Sequence, residues 1–268
     1  MVGGFLLIPL GTVFLLSLHQ FHMATGLSKT LGLSAYSDIV TDWYFAGIFL
    51  RTLRIALLVT AASILLGVPE ACIIRRVAPR WRSVCLLIGL GPLFISIISR
   101  TLGWALLIGS NGLLNQGLIA LGLRHEPLDL LYTETGVVIA LTHVLVPYIL
   151  LGTWASLLRI DPSTEMAAAS LGASSFTILR RIVLPQVMPG ILSGAIIVFC
   201  LAASAFATPA IIGGRRLKVV ATLVYDEFLN TLNWPLGAAV AIVLLVFVTV
   251  AVYAATAFVE RKFSQVLE

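Results

Sequence analysis

Six apolar stretches punctuate the chain, at residues 2–20, 47–74, 84–108, 134–158, 187–212 and 235–259. Each is close to the ~20 residues a helix needs to cross a hydrocarbon core of ~30 Å. No soluble fold could hide them all. Of 268 residues, 59% are hydrophobic and only 11% charged, where a soluble domain carries about 25% charged residues. Lipid must therefore be the solvent for most of the chain. Because an unpaired backbone N–H or C=O is costly in lipid, the spans are expected to be helices, giving an all-α integral membrane protein of six transmembrane helices. The first stretch has no basic flank and no A-x-A cleavage site, so it reads as a retained span rather than a signal peptide.

Charge in the connections sets an expected orientation. The stretch RRVAPRWR puts Arg75, Arg76, Arg80 and Arg82 into one short loop, and Arg159, Arg180, Arg181, Arg261 and Lys262 fall on the same side. The opposite connections dilute their basic residues with Asp38, Asp42, Glu126, Asp129, Asp226 and Glu227. This places residues 159–186 and both termini in the cytoplasm. Trp43, Trp81, Trp154 and Trp234 lie near span ends, where an amphipathic ring suits the headgroup zone. Asn233-Trp234-Pro235 reads as a helix start and Asn111-Gly112 as an outer turn. With no repeat and no low-complexity linker, residues 1–268 form a single membrane domain. The net charge of +5 is scattered, so no basic run marks a nucleic-acid surface.

Chemistry is hard to find. Cys72, Cys85 and Cys200 are odd in number and widely spaced, which fits neither a disulfide framework nor a zinc site. Gly26-Leu27-Ser28-Lys29-Thr30 lacks the glycine a phosphate-binding loop needs before its lysine, so no ATP site is expected in this chain. His19 and His22 could share a helical face at the end of the first span, but they have no carboxylate or thiolate beside them to complete a metal site. Arg51, Arg54, Glu70 and Arg100 lie near span ends, where long side chains snorkel to the headgroups. His143 is deeper; it either faces a polar pathway or hydrogen-bonds a neighbouring helix. Gly190-x-x-x-Gly194 and the small run Ala202-Ala203-Ser204-Ala205 suit close helix packing, and Thr208-Pro209 would break the fifth span near its far end. Ser204, Thr208, Pro209 and His143 are the candidates for a translocation pathway. No catalytic constellation is visible, so the chain is expected not to be an enzyme.

The remaining polar stretch is DPSTEMAAASLGASSFTILRRIVLP, residues 161–185. Asp161 can cap a helix that has Pro162 at its first position and Glu165 in its first turn; Leu171 ends it and Gly172 supplies a left-handed stop. A second short helix would start near Ser174 or Ser175 and halt before Pro185. Ala167, Ala168 and Leu171 would form a nearly flat face suited to docking.

This segment resembles the EAA loop of permease subunits of ABC importers, whose pattern is E-A-A, three residues, glycine, nine residues, then I-x-L-P. Ala167, Ala168, Gly172, Ile182, Leu184 and Pro185 match it, while Met166 stands in the glutamate's place with Glu165 just before it. The stretches RTLGWALLIGSNGLLNQGLIALGL, LLYTETGVVIALTHVLVPYILL, FATPAIIGG and NWPLGAAVAIVLLV resemble the polyamine (spermidine/putrescine) branch in particular. The resemblance implies a type I importer permease of the bacterial inner membrane. Its first loop helix would dock on an ABC ATPase dimer through Glu165, Met166, Ala167, Ala168, Leu171, Gly172 and Ala173, with Ile182, Leu184 and Pro185 completing the motif. The implied partners are that ATPase, which would bind ATP and magnesium, a second permease subunit making a heterodimer, and a periplasmic substrate-binding protein. A self-sufficient secondary transporter would instead carry midplane charges and discontinuous helices in two related halves. A membrane enzyme would show a catalytic set.

Overall fold

The computed structural model describes residues 2–22 and 26–267, most of them helical. Five helices are long and apolar enough to cross a membrane: Trp43–Arg76, Ile97–Ala120, Glu134–Leu157, Ser175–Ala203 and Trp234–Ala257. A shorter apolar helix, Leu7–Ser17, stands before them.

Helix α1 (Val2–Ser17) stops short of residue 20. Sixteen residues rise about 24 Å, less than a full hydrocarbon core. Its end is tied off by polar groups: buried Ser17 donates to Phe14 O at 2.7 Å and meets the Tyr36 hydroxyl at 2.6 Å. His19 Nδ1 lies 2.8 Å from Leu15 O. The chain then turns into a hairpin of β1 (His19–His22) and β2 (Gly26–Leu31). His19 and His22 are thus on a strand, not a helical face, and the His22 side chain lies outside the described residues. Helix α2 (Ser34–Thr41) leads to the 34-residue α3 (Trp43–Arg76), whose start is fixed by Asp42 accepting the Tyr44 N–H at 2.8 Å.

The apolar stretch at 84–108 is not one helix. It divides into α4 (Pro79–Leu90), a 3₁₀ turn (Gly91–Phe94) and α5 (Ile97–Ile108). Pro92 cannot supply an N–H to the preceding turn, and its own carbonyl accepts from Arg100 Nη1. After a turn at Asn111-Gly112, where Gly112 N–H donates to Gly109 O at 2.8 Å, α6 (Leu113–Ala120) continues the crossing. Helix α7 (Glu134–Leu157) begins at Thr133, whose hydroxyl accepts the Gly136 N–H. The segment after it carries α8 (Pro162–Ser170) and α9 (Ser175–Ile178). Helix α10 (Leu184–Ala203) is followed by a π turn (Pro209–Gly213), a 3₁₀ turn (Gly214–Arg216), α11 (Val220–Leu229) and α12 (Trp234–Leu267).

The centre is a packed trio of α3, α7 and α10, with Ile55, Val59, Val137, Ile149, Leu150, Val187 and Val198 buried between them. Leu58, Leu65 and Ile73 of α3 face outward instead, as lipid-facing residues should. The closest approach is glycine on glycine: a methyl group added to Gly190 would stand 2.1 Å from Gly152 O and 2.3 Å from Ser156 Oγ. Gly194 lies against the Tyr148 carbonyl and Ile149 in the same seam. The Gly190-x-x-x-Gly194 pattern therefore packs α10 onto α7. A second cluster joins α2 and the start of α3 to α11 and α12 through Ile39, Phe45, Ile48, Val220, Leu223 and Val240.

Candidate functional site

Helix α8 is built by its own termini. Asp161 accepts the Ser163 N–H at 2.9 Å. That bond stabilises the carboxylate and holds its pKa below the usual aspartate value. At the other end Gly172 has φ +82°. Gly172 N–H donates to Ala169 O at 2.9 Å and Ala173 N–H to Ala168 O at 3.1 Å, closing the last carbonyls in a Schellman arrangement. No residue of α8 is buried. Met166, Leu171 and Phe176 are 63%, 89% and 70% exposed, so a polar-capped helix presents bare apolar side chains to its surroundings.

Glu165 turns the other way. Its Oε1 lies 2.7 Å from Arg75 Nη2 at the end of α3. The pair closes a crevice of about 270 Å³ lined by Cys72, Leu157, Met166 and Val183 among others. Ala168 and Ala173 are half-buried and Ala167 is exposed. The second short helix begins as the serine pattern predicts, with Ser174 Oγ accepting the Thr177 N–H at 3.3 Å. It does not halt before Pro185. A π turn (Leu179–Val183) carries it directly into α10. The wider turn keeps the proline ring clear of the carbonyl behind it, where an α turn would clash. Ile182, Leu184 and Pro185 sit half-buried at this junction.

At the other end, α10 breaks at Ser204–Phe206, just before Thr208-Pro209 rather than at it. Ser204 Oγ donates back to Cys200 O at 2.8 Å, and buried Thr208 meets Thr101 of α5 at 3.2 Å, hydroxyl to hydroxyl. Pro209 is buried at the head of the π turn. Beside the break lies a cavity of about 410 Å³ lined by Arg100, Tyr148, Ser204, Phe206 and Thr208 among others. His143 is not part of it. It lines a separate cavity of about 550 Å³ with Glu70 and Thr142, and Trp104 Nε1 donates to its Nδ1 at 3.2 Å. The structure thus brings Ser204 and Thr208 together, leaves His143 elsewhere and puts Pro209 behind them.

Three arginines expected to snorkel are engaged by protein instead. Arg100 is only 8% exposed. Arg51 and Arg54 converge on Glu134, the first residue of α7; Arg51 Nε is 3.4 Å from Oε1, and Arg54 binds both carboxylate oxygens. Glu134 suits the first turn of α7, where the helix dipole favours an acid, but nothing in the sequence named its arginine partners, and nothing marked Tyr148 or the pairing of Arg75. Near Arg51, a broad cavity of about 920 Å³ is lined by Phe206, Arg215, Lys218, Tyr225, Asp226 and Glu227 among others. The Phe206 and Tyr225 rings lie 4.8 Å apart, tilted by 33° to one another. Lys218 Nζ lies 2.9 Å from Asp226 Oδ2, a bond that raises the pKa of its ammonium group.

The exposed helix, the broken α10 and all of α12 but its last two residues fall within residues 118–265, the stretch matched by the family described as binding-protein-dependent transport system inner membrane component. The chain belongs to that family. It is a permease subunit of an ABC importer, a transport component rather than a catalyst. PotB, the spermidine/putrescine transport system permease protein of Haemophilus influenzae, is 30% identical over 230 residues, covering 85% of this chain and 80% of the relative. PhnU of Salmonella paratyphi A, named for 2-aminoethylphosphonate transport, is 27% identical over 254 residues, or 90% and 84% of the two chains. Among solved structures, a chain of a bacterial alginate ABC transporter superposes with TM-score 0.78 at 19% identity, covering 97% of the permease and 90% of that chain. A chain of the inward-facing MetNI methionine ABC transporter gives TM-score 0.59 at 18% identity, covering 84% and 96%. The importer-permease fold is therefore shared over 97% of the chain.

Proposed function

We propose that this permease carries a small amine, with spermidine and putrescine as the best candidates, across the bacterial inner membrane. In this reading six spans, α1 included, form half of the pathway, and both termini and α8 face the cytoplasm. A second, related permease subunit completes a heterodimer, and a periplasmic binding protein delivers the solute. ATP and its magnesium ion are bound by a separate ATPase pair. The permease docks on that pair through α8 and contributes no step of hydrolysis.

The observation that carries the reading is α8 itself. It is a short helix fixed by caps at both ends, bare on its apolar face, and inserted between two helices long enough to span a membrane. A rigid helix can transmit a displacement that a slack loop would absorb. The ATPase is tested by affinity purification of the tagged permease from its native membrane, and energy coupling by uptake into vesicles. An ATPase that co-purifies and uptake that stops on ATP depletion support the reading. Uptake persisting without ATP would point to a self-sufficient secondary transporter.

The amine assignment is supported by the kinship to PotB and by the Phe206 and Tyr225 rings and the Glu227 carboxylate that line one cavity, where Asp226 is already paired with Lys218. Aromatic faces and carboxylates are the groups that hold ammonium ions. Calorimetric titration of the cognate binding protein with spermidine, putrescine and 2-aminoethylphosphonate decides among these solutes. Binding of the phosphonate alone would overturn the polyamine assignment.

A further inference from the structure

Helix α8 buries none of its residues against the membrane helices, so packing alone does not hold it. Its described polar tie to them is the ion pair between Glu165 and Arg75, 2.7 Å apart with side chains 32% and 22% exposed. Such partial burial leaves the pair less screened than one in open solvent. Arg75 sits in the last turn of α3, a helix of 34 residues, about 51 Å, that continues past Pro69 with one backbone hydrogen bond fewer. The first half of α3 is tied as well. Arg51 and Arg54 bind Glu134 at the head of α7, Arg51 Nη1 donates to Lys218 O at 3.2 Å, and Thr52 Oγ1 accepts the Val220 N–H at 3.0 Å. One helix therefore carries a charged anchor to α8 at its end and polar anchors to α7 and α11 in its first half. Arg54 and Arg75 are separated by about 31 Å along its axis.

We infer that Glu165 and Arg75 are positioning residues that lock α8 to α3, so that α3 acts as the strut carrying a displacement of α8 to the far side of the fold. The inference rests on the proposed docking of α8 to an ATPase. It gives Glu165 a task within its own chain, toward Arg75, beside a largely exposed Met166. Breaking the pair frees α8 from α3 without touching the helices that form the body. Restoring opposite charges in reversed order restores the lock.

The test is a distance measurement in the complete importer held in lipid nanodiscs. Spin labels go on Ser170→Cys of α8 and Ile73→Cys on the exposed face of α3, with Cys72, Cys85 and Cys200 replaced by alanine. Pulsed electron resonance then reads their separation without nucleotide and after trapping with ATP and vanadate. The native pair should give one narrow peak in both states. Arg75→Glu should lower that docked population about fivefold, the effect of losing a partly exposed ion pair and setting two carboxylates face to face. The swap Arg75→Glu with Glu165→Arg should bring the narrow peak back, which a loss of general folding would not allow. Glu165→Gln, on a helix with no buried residue, serves as a second variant should Arg75→Glu fail to insert. An unchanged peak in Arg75→Glu or Glu165→Gln, or a swap that inserts without restoring the peak, overturns the strut. If no ATPase accompanies the native permease, the docking reading fails and the strut's role in coupling falls with it.

Discussion

Replacing Gly190 by alanine places a methyl group 2.1 Å from Gly152 O and 2.3 Å from Ser156 Oγ. An ordinary contact needs more than 3 Å, so α7 and α10 must part by about 1 Å along the seam. A gap of that size forfeits roughly a quarter to a half of each contact's attraction, which is ~0.1–0.2 kcal/mol per atom pair. With on the order of 30 atom pairs across the seam, the loss comes to about 1–2 kcal/mol, and strain brings it toward ~3 kcal/mol. The better helix propensity of alanine returns up to ~1 kcal/mol. Lipid offers no hydrophobic drive to pull the parted helices together again. A net destabilisation of about 1–2 kcal/mol is therefore expected, and more for Gly190→Val. The assay is the temperature at which half-buried Cys72, Cys85 and Cys200 become reactive toward a thiol dye in detergent. Gly117→Ala, where nothing lies within 4 Å, is the matched control and should not lower that temperature. If Gly190→Ala unfolds at the native temperature, the backbone contact does not hold the two helices together.

Glu134→Gln removes the carboxylate that gathers Arg51 and Arg54; about 1–3 kcal/mol of stability should be lost in the same dye assay, and no shift would mean water serves both arginines equally well. Gly172→Pro cannot adopt φ +82° and also loses the N–H donated to Ala169 O; ATPase stimulation should be lost while the dye-unfolding temperature stays within a few degrees. A lysine at Ala168 should uncouple in the same way, and normal coupling in both variants would remove α8 as the docking element. The Asp161 carboxylate has its pKa lowered by folding, so the stability it adds is present above the unfolded value of 3.8 and is lost as pH falls through the lower folded value. Backbone amide exchange at Ser163 should accordingly remain protected from neutral pH down to about pH 4; loss of protection already near pH 6 would show that another group controls the cap.

Much of α8 could be read in the residues because its signals are local. Asp161, Pro162 and Gly172 act within one turn of themselves, and each does what its chemistry dictates. The helix start at Asn233 was legible for the same reason, with Asn233 Oδ1 accepting the Leu236 N–H at 3.3 Å. The breaks inside apolar stretches were harder. Hydropathy averages over about 19 residues, so it cannot see that Pro92 interrupts one run or that Ser204 ends α10 early. Long-range pairs were hidden altogether. Arg54 and Glu134 are 80 positions apart, and only the packing of α3 against α7 brings them together. The deep polar residues divided for a similar reason, since His143 and Ser204 are separated by how α5 sits against α7, not by anything in their flanking sequence.

The glycine contact between α7 and α10 also has a mechanical meaning. Gly190 lies about 22 Å along the helix from Ser175, next to α8, and about 21 Å from Ser204, where α10 ends. A helix pressed to its neighbour near the middle behaves as a lever on a fulcrum with nearly equal arms. A swing of the α8 end would be returned at Ser204 with similar amplitude and opposite sense, delivered beside the cavity that Arg100, Tyr148 and Thr208 share.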